Sequence, residues 1–109
     1  MSYSIETIPH FDRQFKGLRK KYRSLTDDVN GLVEQLAEAP QLGTPIGHGC
    51  YKVRLAITSK GRGKSGGARM ITYVRVVGET IFLLAIYDKS ELDSISDQEV
   101  RTLLMGLEE

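Results

Sequence analysis

Basic side chains without acidic neighbours define the chemistry open to this chain. From Pro40 to Gly78 the sequence has seven basic residues and no Asp or Glu, although the 109 residues together carry a formal net charge of only +1. The seven are Lys52, Arg54, Lys60, Arg62, Lys64, Arg69 and Arg75. Because nothing in this stretch neutralises them, we predict one electropositive face of the kind that binds phosphates. A solvated basic loop is the alternative.

Cleavage of RNA is a reaction that lysine, arginine and tyrosine can support together. Cations stabilise the charge on a phosphate while the 2′-OH of the substrate attacks, which gives a 2′,3′-cyclic product. A lysine crowded by cations loses its proton more readily and can act as a base, as Lys52 would beside Arg54 and Arg69. Tyr87, at the end of an apolar run, is either a base-stacking or proton-relaying group or a tyrosine at the edge of the core.

Other catalytic sets find little support. His10 and His48 fall in unrelated segments, so we expect surface or capping roles for them. Residues 61–66 satisfy G-x-G-x-x-G, but that fingerprint requires a following helix to receive a pyrophosphate, and here a strand is predicted. Cys50 has only His48 at ligand spacing. We therefore predict no metal, no cofactor and no nucleotide fold.

Apolar periodicity predicts an α+β domain with the element order (β)ααβββα. A weak strand at residues 4–8 precedes an amphipathic helix that begins near His10. A second helix begins at a cap formed by Ser24 or Thr26, with Val29, Leu32 and Leu36 among its buried residues, and ends at Ala39–Pro40. Residues 40–49 are predicted to be a loop because they contain three glycines and two prolines.

The second half of the chain is predicted to form a β-meander and a last helix. Strands are expected at residues 50–57, 68–77 and 80–87, with a tight turn at Gly78–Glu79. The spacing of Ser96 and Glu99 fits a capping box that starts the helix. These elements predict an antiparallel sheet of three to four strands. The helices are expected on one face, and Lys52, Arg54, Arg69 and Tyr73 on the open face. One domain should span residues 1–109.

Composition places the chain among ordinary globular proteins. Hydrophobic residues make up 40% and charged residues 27% of the sequence. No window approaches the roughly 18 consecutive apolar residues of a membrane span, and the N-terminus lacks the layout of a signal peptide. The sequence therefore predicts a cytoplasmic protein that has no membrane partner.

Three segments, in order, resemble the RelE superfamily of bacterial toxins. They are residues 50–55 (CYKVRL), 67–73 (GARMITY) and 82–89 (FLLAIYDK), and the likeness extends over about residues 10–107. The glycine-rich segment SKGRGKSGGAR at residues 59–69 is similar to the HigB branch of that superfamily. The resemblance implies a small antiparallel sheet with two N-terminal helices, in agreement with the elements predicted above.

The resemblance also implies a function. A RelE-like toxin is expected to be an endoribonuclease that cuts messenger RNA in the ribosomal A site, close to 16S rRNA. Its antitoxin, expected to be a helix-turn-helix protein, would neutralise it. By position, Lys52 and Arg54 match the basic pair on the first central strand, and Arg69 matches the arginine that holds the scissile phosphate.

Two positions depart from the RelE pattern. The arginine expected after the last strand is replaced by Lys89 or Ser90, and the tyrosine expected near the C-terminal helix aligns with Ser96. The general acid therefore stays open: Lys60, Arg62, Lys64 and Tyr87 are the candidates for the missing roles, and a weakly active chain is the alternative. The catalytic set is expected to comprise Lys52, Arg54, Arg69, Tyr87 and Lys89. The remaining RNA contacts are expected from Lys60, Arg62, Lys64, Tyr73 and Arg75.

Two rival functions remain at this point. The ParE side of the same superfamily inhibits gyrase without cutting RNA, and an RNA-binding module without catalysis would suit the missing general acid. The acid-free basic stretch favours a nuclease over a gyrase inhibitor, because a cluster of unneutralised cations needs a polyanion to offset its self-repulsion.

Overall fold

A five-stranded mixed sheet carries helices on both of its faces. The computed structural model describes residues 2–107. In chain order the elements are β1 (Ser4–Thr7), α1 (Pro9–Lys21), α2 (Leu25–Glu38), β2 (Thr44–Gly47), β3 (Cys50–Leu55), a 3₁₀ turn (Thr58–Lys60), β4 (Ala68–Arg75), β5 (Thr80–Asp88) and α3 (Asp97–Met105). The predicted α+β class and its helices are confirmed.

The sheet has more strands than expected, in the order β1-β5-β4-β3-β2. β1 runs parallel to β5, whereas the other neighbours are antiparallel. The predictions of three to four strands and of a purely antiparallel sheet were therefore wrong. β2 lies in the stretch predicted to be a loop, because an edge position tolerates its proline. A long helical connection separates β1 from the rest, so no hairpin imposes an antiparallel direction on it.

The first face of the sheet packs against α1 and α2. Helix α1 buries Phe11 and Leu18, and α2 buries a stripe at helical spacing that includes the predicted Val29, Leu32 and Leu36. These side chains pack on alternate residues of the central strands, namely Val53, Leu55, Ala68, Met70, Val74, Ile81, Leu83 and Ile86. Alternation therefore turns the residues between them towards the opposite, second face.

Helix α3 covers part of the second face, which was predicted to lack a helix. Val100 of α3 is buried in a second cluster with Cys50, Ile71, Phe82, Leu84, Ala85 and Tyr87. The cause is a register shift between β4 and β5 opposite Ile71 and Thr72. It directs both Leu84 and Ala85 to the second face, so this face holds more apolar surface than strict alternation gives.

Ser96 caps the start of α3, as predicted, through the serine half of the capping box. The Ser96 hydroxyl accepts a hydrogen bond from the backbone N–H of Glu99 at 3.1 Å and donates one to the Glu99 carboxylate at 3.2 Å. The cap fixes where the helix begins and thus where it meets the sheet. None of the described helices is both long and apolar enough to cross a membrane.

Gly67 ties the glycine-rich basic loop, residues 61–67, to the sheet. A Cβ atom added there would lie 2.0 Å from the carbonyl oxygen of Leu55, so only glycine allows the backbones at the end of β3 and the start of β4 to come this close. The Gly67 carbonyl also accepts a hydrogen bond from the backbone N–H of Lys89 at 3.0 Å, which extends the β4–β5 ladder. The basic loop is thereby held against both neighbouring strands.

A buried polar cluster at the end of β5 lies on the first face. The Asp88 carboxylate accepts hydrogen bonds from the Lys60 ammonium at 2.8 Å, from the Tyr22 hydroxyl at 2.6 Å and from the Ser90 hydroxyl at 2.7 Å. Burial alone would raise the pKa of Asp88, but the hydrogen bonds from Lys60, Tyr22 and Ser90 outweigh it and hold that pKa far below its ordinary value. The same contact with Asp88 raises the pKa of Tyr22 to about 12.

Asp88→Asn should lower the free energy of unfolding by about 3 kcal/mol, because it leaves the Lys60 ammonium without its counter-ion. The lowered native pKa of Asp88 means that its stabilisation is complete above about pH 5 and is lost as pH falls below the unfolded value near 3.9. Urea denaturation between pH 7 and pH 3 should therefore show a flatter acid limb for Asp88→Asn. Glu91→Gln, which removes an exposed ion pair with Lys21, is the control. An equal loss in both variants would contradict the account.

Candidate nucleic-acid interface

Three neighbouring strands place Arg54, Arg69 and Tyr87 side by side. Arg54 of β3 pairs in register with Arg69 of β4, which in turn pairs with Tyr87 of β5. Their chain neighbours Val53, Leu55, Ala68 and Met70 face the first cluster, so the row lies on the second face. Cross-strand partners have Cβ atoms about 5 Å apart. We call the three cations Lys52, Arg54 and Arg69, together with the neighbouring Tyr87, the cationic row.

Like charges stand directly opposite each other in this row. Two arginines in register repel, which destabilises a sheet unless an anion lies between them. Among residues 2–107, no carboxylate forms an ion pair with Lys52, Arg54 or Arg69. A phosphate between the two guanidinium groups would relieve the repulsion and accept hydrogen bonds from both.

Arg69 is held in place before any ligand arrives. Its side chain is buried, with 6% of the residue exposed. One terminal nitrogen donates hydrogen bonds to the carbonyl oxygens of Lys64 at 2.8 Å and Ala68 at 3.0 Å. These bonds use only part of the five-donor guanidinium, so the other donors stay available to a planar anion. The glycine-rich loop thus orients Arg69 through its backbone.

Lys52 extends the row towards the start of α3. It lies two residues before Arg54 on the same face, beside a small cavity of about 100 Å³ that is also lined by Ile95 and Asp97. Asp97 is itself engaged, since its carboxylate oxygens lie 3.1 Å from Nε2 of His48 and 3.2 Å from Nε of Arg101. His48 therefore ties the β2–β3 turn to α3.

Lys89 stands at the β5 end of the row with a counter-ion of its own. Its ammonium donates to the carboxylate of Asp93, four residues later. Lys89 holds the pKa of Asp93 below its ordinary value, and Lys52 and Arg69 contribute to the same shift. Asp93 is thus an exposed carboxylate near several site cations, and an incoming phosphate must compete with it.

Tyr87 is more deeply placed than the sequence suggested. Only 6% of the residue is exposed, and its buried hydroxyl lies near the backbone of Ile95 without a hydrogen bond of good geometry. Burial raises the pKa of this hydroxyl, and the positive charge of Arg69 partly offsets the rise. Stacking on an RNA base does not fit this geometry. The hydroxyl oxygen is itself buried, so a ligand bound at the row does not contact it in this structure.

The structure splits the other expected RNA contacts into separate groups. Arg62 and Lys64 are exposed on the loop that supports Arg69. Lys60 points to the first face, where it is bound to Asp88, so it is not available to a ligand at the row. We therefore exclude Lys60 from the site.

Tyr73 and Arg75 occupy the far end of β4. Arg75 lies six residues beyond Arg69, roughly 20 Å along the strand. Tyr73 and Arg75 instead pack on Phe82, with ring centroids 6.1 Å apart for Tyr73 and the Arg75 guanidinium 4.8 Å from the Phe82 ring centre. They do not join the cationic row, although they share its face.

A cavity of about 500 Å³ adjoins the β3 side of the row, between α2 and β3. Lys52, Arg54 and Lys64 line it together with Asp27 and Asp28. The two carboxylates compete with a phosphate for these cations. Among residues 2–107, no three His, Cys, Asp or Glu side chains come together as a metal site requires.

Sequence reasoning missed two contributors to the site. The backbone carbonyl of Lys64 orients Arg69, and no residue type signals such a role. Asp93 could have been found, because Lys89 and Asp93 have the four-residue spacing of an ion pair.

The mixed sheet, the helical pair on its first face and the cationic row define a small α+β protein with a surface suited to a polyanion. A family model described as the RelE toxin of the RelE/RelB toxin–antitoxin system matches residues 9–105. The chain therefore belongs to the RelE toxin family.

Solved structures agree in fold at low sequence identity. A mutant of the E. coli toxin RelE in the free state is 17% identical, with a TM-score of 0.60, and 85% of this chain and 90% of that chain are covered. The toxin–antitoxin complex RelBE2 from Mycobacterium tuberculosis is 18% identical, with a TM-score of 0.61, and 81% of this chain and 99% of that chain are covered. A mutant E. coli RelE bound to an antitoxin RelBc peptide is 18% identical, with a TM-score of 0.59, and 89% of this chain and 98% of that chain are covered.

Inorganic phosphate should stabilise the fold through the row. At tenfold its Kd, a ligand that binds only the native state adds about 1.4 kcal/mol, seen as a higher Tm. Arg54→Gln should lose this phosphate-dependent rise, yet be a few tenths of a kcal/mol more stable without phosphate, because the like-charge pair is gone. Asp93→Asn should enlarge the rise by removing the competing carboxylate.

Differential scanning fluorimetry in phosphate and in chloride at constant ionic strength measures these shifts. Arg101→Gln, which removes one exposed arginine on α3, is the matched control and should respond as the wild type does. A phosphate response that is the same in Arg54→Gln and the wild type would contradict the proposed anion site.

Proposed function

We propose that this toxin is a ribosome-dependent endoribonuclease that arrests translation by cutting messenger RNA in the ribosomal A site. The observation that carries the proposal is the alignment of Lys52, Arg54 and Arg69 on one face without carboxylate partners among the described residues. A cognate antitoxin would neutralise it, as the family description and the RelBE2 complex suggest. We propose that this antitoxin is a helix-turn-helix protein.

The row suggests a division of roles. Arg69, fixed by the Lys64 and Ala68 carbonyls, would hold the scissile phosphate, and Arg54 opposite it would share the charge that develops on the phosphate oxygens. Lys52 is the best-placed base for the 2′-OH, since it lies between Arg54 and the opening at α3. Arg62 and Lys64 would contact neighbouring phosphates of the strand.

Proton delivery to the leaving 5′ oxygen would come from the β5 end of the row. The Tyr87 hydroxyl beside Arg69 is buried, so it would donate a proton only after its side chain moved towards the row. Lys89 can approach the same region once the phosphate displaces Asp93. The leaving oxygen takes one proton while the bond from 2′ oxygen to phosphorus replaces the bond from phosphorus to 5′ oxygen, so the step needs no added reactant.

Dependence on the ribosome follows from what the row offers. It contains no histidine, the side chain that most readily exchanges protons near neutral pH. Catalysis near pH 7 is then weak unless the substrate strand is bent and aligned by its surroundings. The ribosomal A site is where such alignment of messenger RNA would be supplied.

Arg69→Gln should reduce RNA cleavage by about 100-fold or more, because it removes a preorganised donor from the phosphate. Cells induced to express wild type, Arg69→Gln or Arg101→Gln are compared by growth and by mapping of messenger RNA ends. Wild type and Arg101→Gln should arrest growth and leave cuts, whereas Arg69→Gln should do neither.

Three outcomes would oppose this function. Cleavage by Arg69→Gln at the wild-type rate would show that the row is not the site. Ribosome-bound but uncut RNA would indicate an RNA-binding module without catalysis. Growth arrest with intact messenger RNA and broken DNA would indicate a gyrase inhibitor.

A further inference from the structure

Gly31 lies in the interior of helix α2 without a steric reason. A Cβ atom added there would meet no atom within 4 Å, and the residue is part of a regular helix, so a side chain would fit. Glycine inside a helix lowers its stability relative to alanine. Gly31 lines the cavity of about 500 Å³ between α2 and β3. The sequence therefore leaves open a space that packing within the fold does not require.

Two polar side chains flank Gly31 along the cavity. Asp27 lies four residues before Gly31 and Gln35 four residues after it, a spacing that puts all three on one side of α2. Asp27 and Gln35 are exposed and both line the cavity. Within residues 2–107 the Asp27 carboxylate forms no ion pair. This wall of the cavity thus offers a bare stretch of helix between a carboxylate and an amide.

The neighbouring Asp28 is already saturated by its own chain. Its carboxylate accepts hydrogen bonds from the Ser24 hydroxyl at 2.7 Å, from the Thr58 hydroxyl at 2.6 Å and from the Thr58 backbone N–H at 2.9 Å. Burial alone would raise the pKa of Asp28, but the hydrogen bonds from Thr58 and Ser24 outweigh it and hold that pKa below its ordinary value. Asp27 is therefore the carboxylate that a ligand in the cavity can use.

The other wall of the cavity carries cations and an open strand edge. Lys52 and Arg54 of β3 line it, together with Lys64 of the basic loop. β2 pairs with β3 only as far as Lys52, so the backbone of β3 beyond that residue has no neighbouring strand on this side. Apolar lining comes from Leu32, Leu42, Val53 and Leu55. The cavity thus combines apolar surface with an acceptor on one wall and donors on the other.

This arrangement of charges suits a neutral planar ligand. A phosphate would be repelled by Asp27, and a cationic side chain would be repelled by Lys52 and Arg54. A nucleobase has no net charge, presents donors and acceptors at its edge, and has flat faces that can lie on the bare helix at Gly31. Arg54 belongs both to the cavity and to the cationic row. A nucleotide whose phosphate lies at the row therefore has its base beside the cavity.

We propose that the cavity between α2 and β3 is a nucleobase subsite, which receives a base next to the phosphate held by the cationic row. This inference rests on the proposed function, because it takes that phosphate to belong to RNA. The base lies against Gly31, and Asp27 accepts a hydrogen bond from its edge. A carboxylate can only accept, so the subsite favours a base with an exocyclic amino group, such as cytosine, over uracil, which presents two carbonyl oxygens.

Binding of uncleavable 2′-O-methylated dinucleotides tests the space above Gly31. Full-length wild type, Gly31→Leu and Gly17→Leu are titrated with the cytidine dinucleotide by calorimetry. Leucine at Gly31 should fill the space and weaken binding by about tenfold, the effect of losing one stacked base. The same change should raise the Tm, because leucine is the better helix former. Gly17→Leu, at an equally open position of α1, is the matched control and should keep the wild-type affinity.

A comparison of the cytidine and uridine dinucleotides tests the role of Asp27. Wild type should prefer cytidine by about tenfold, as one good hydrogen-bonded base contact provides. Asp27→Asn should lose most of this preference, because an amide can donate to uracil as well as accept from cytosine. Asp12→Asn removes an exposed carboxylate from α1 instead, so it should keep the preference even if both affinities rise.

The outcomes separate the subsite from the proposed function. Wild-type affinity in Gly31→Leu, or an equal loss of affinity for inorganic phosphate in that variant, would overturn the subsite even if RNA were cut in cells. An unchanged cytidine preference in Asp27→Asn would overturn the role of Asp27. If wild type cut no RNA in cells but the variants changed dinucleotide binding as expected, the subsite would stand and the nuclease would be wrong.

Discussion

The placement of two arginines in register on neighbouring strands is the constraint on which this structure depends. Arg54 and Arg69 repel each other in a sheet whose other positions on that face are largely apolar. The fold tolerates them because the carbonyl groups of Lys64 and Ala68 bind Arg69 and because Arg54 is exposed. The repulsion lowers the stability of the fold, and an anion such as a phosphodiester bound between the two arginines would relieve it.

The rest of the fold keeps that surface free of internal counter-ions. Asp88, the carboxylate next to Tyr87 in the chain, is turned to the first face and saturated there by Lys60, Tyr22 and Ser90. Asp97 is shared between His48 and Arg101. Asp93 lies near the row on an exposed loop, where a competing phosphate can replace it. Asp27, Asp28 and Asp97 line cavities beside Lys52 but form no ion pair with it. The distribution of carboxylates is thus as much a part of the site as the arginines.

Sequence periodicity predicted most of the fold and the centre of the site, and its errors have physical causes. Apolar spacing located the helices and the three central strands, and alternation placed Lys52, Arg54 and Arg69 on one face. It located β1 but missed its parallel direction, and it missed β2, because edge strands with proline or few residues have weak patterns. It misplaced Lys60 and overlooked Asp93, because ion pairs between distant segments depend on three-dimensional folding. Helix α3 covers part of the second face because of a register shift between β4 and β5, which no residue type indicates.

The central claim is that Arg54 and Arg69 share one phosphodiester, and side-chain NMR tests it directly. A titration with a 2′-O-methylated dinucleotide, which lacks the attacking hydroxyl and cannot be cut, is followed through the Nε–Hε signals of both arginines. The account predicts that the two signals shift together with a single Kd, and that the Arg101 signal stays still. Shifts with different Kd values, or movement of only one of the two arginines, would contradict it.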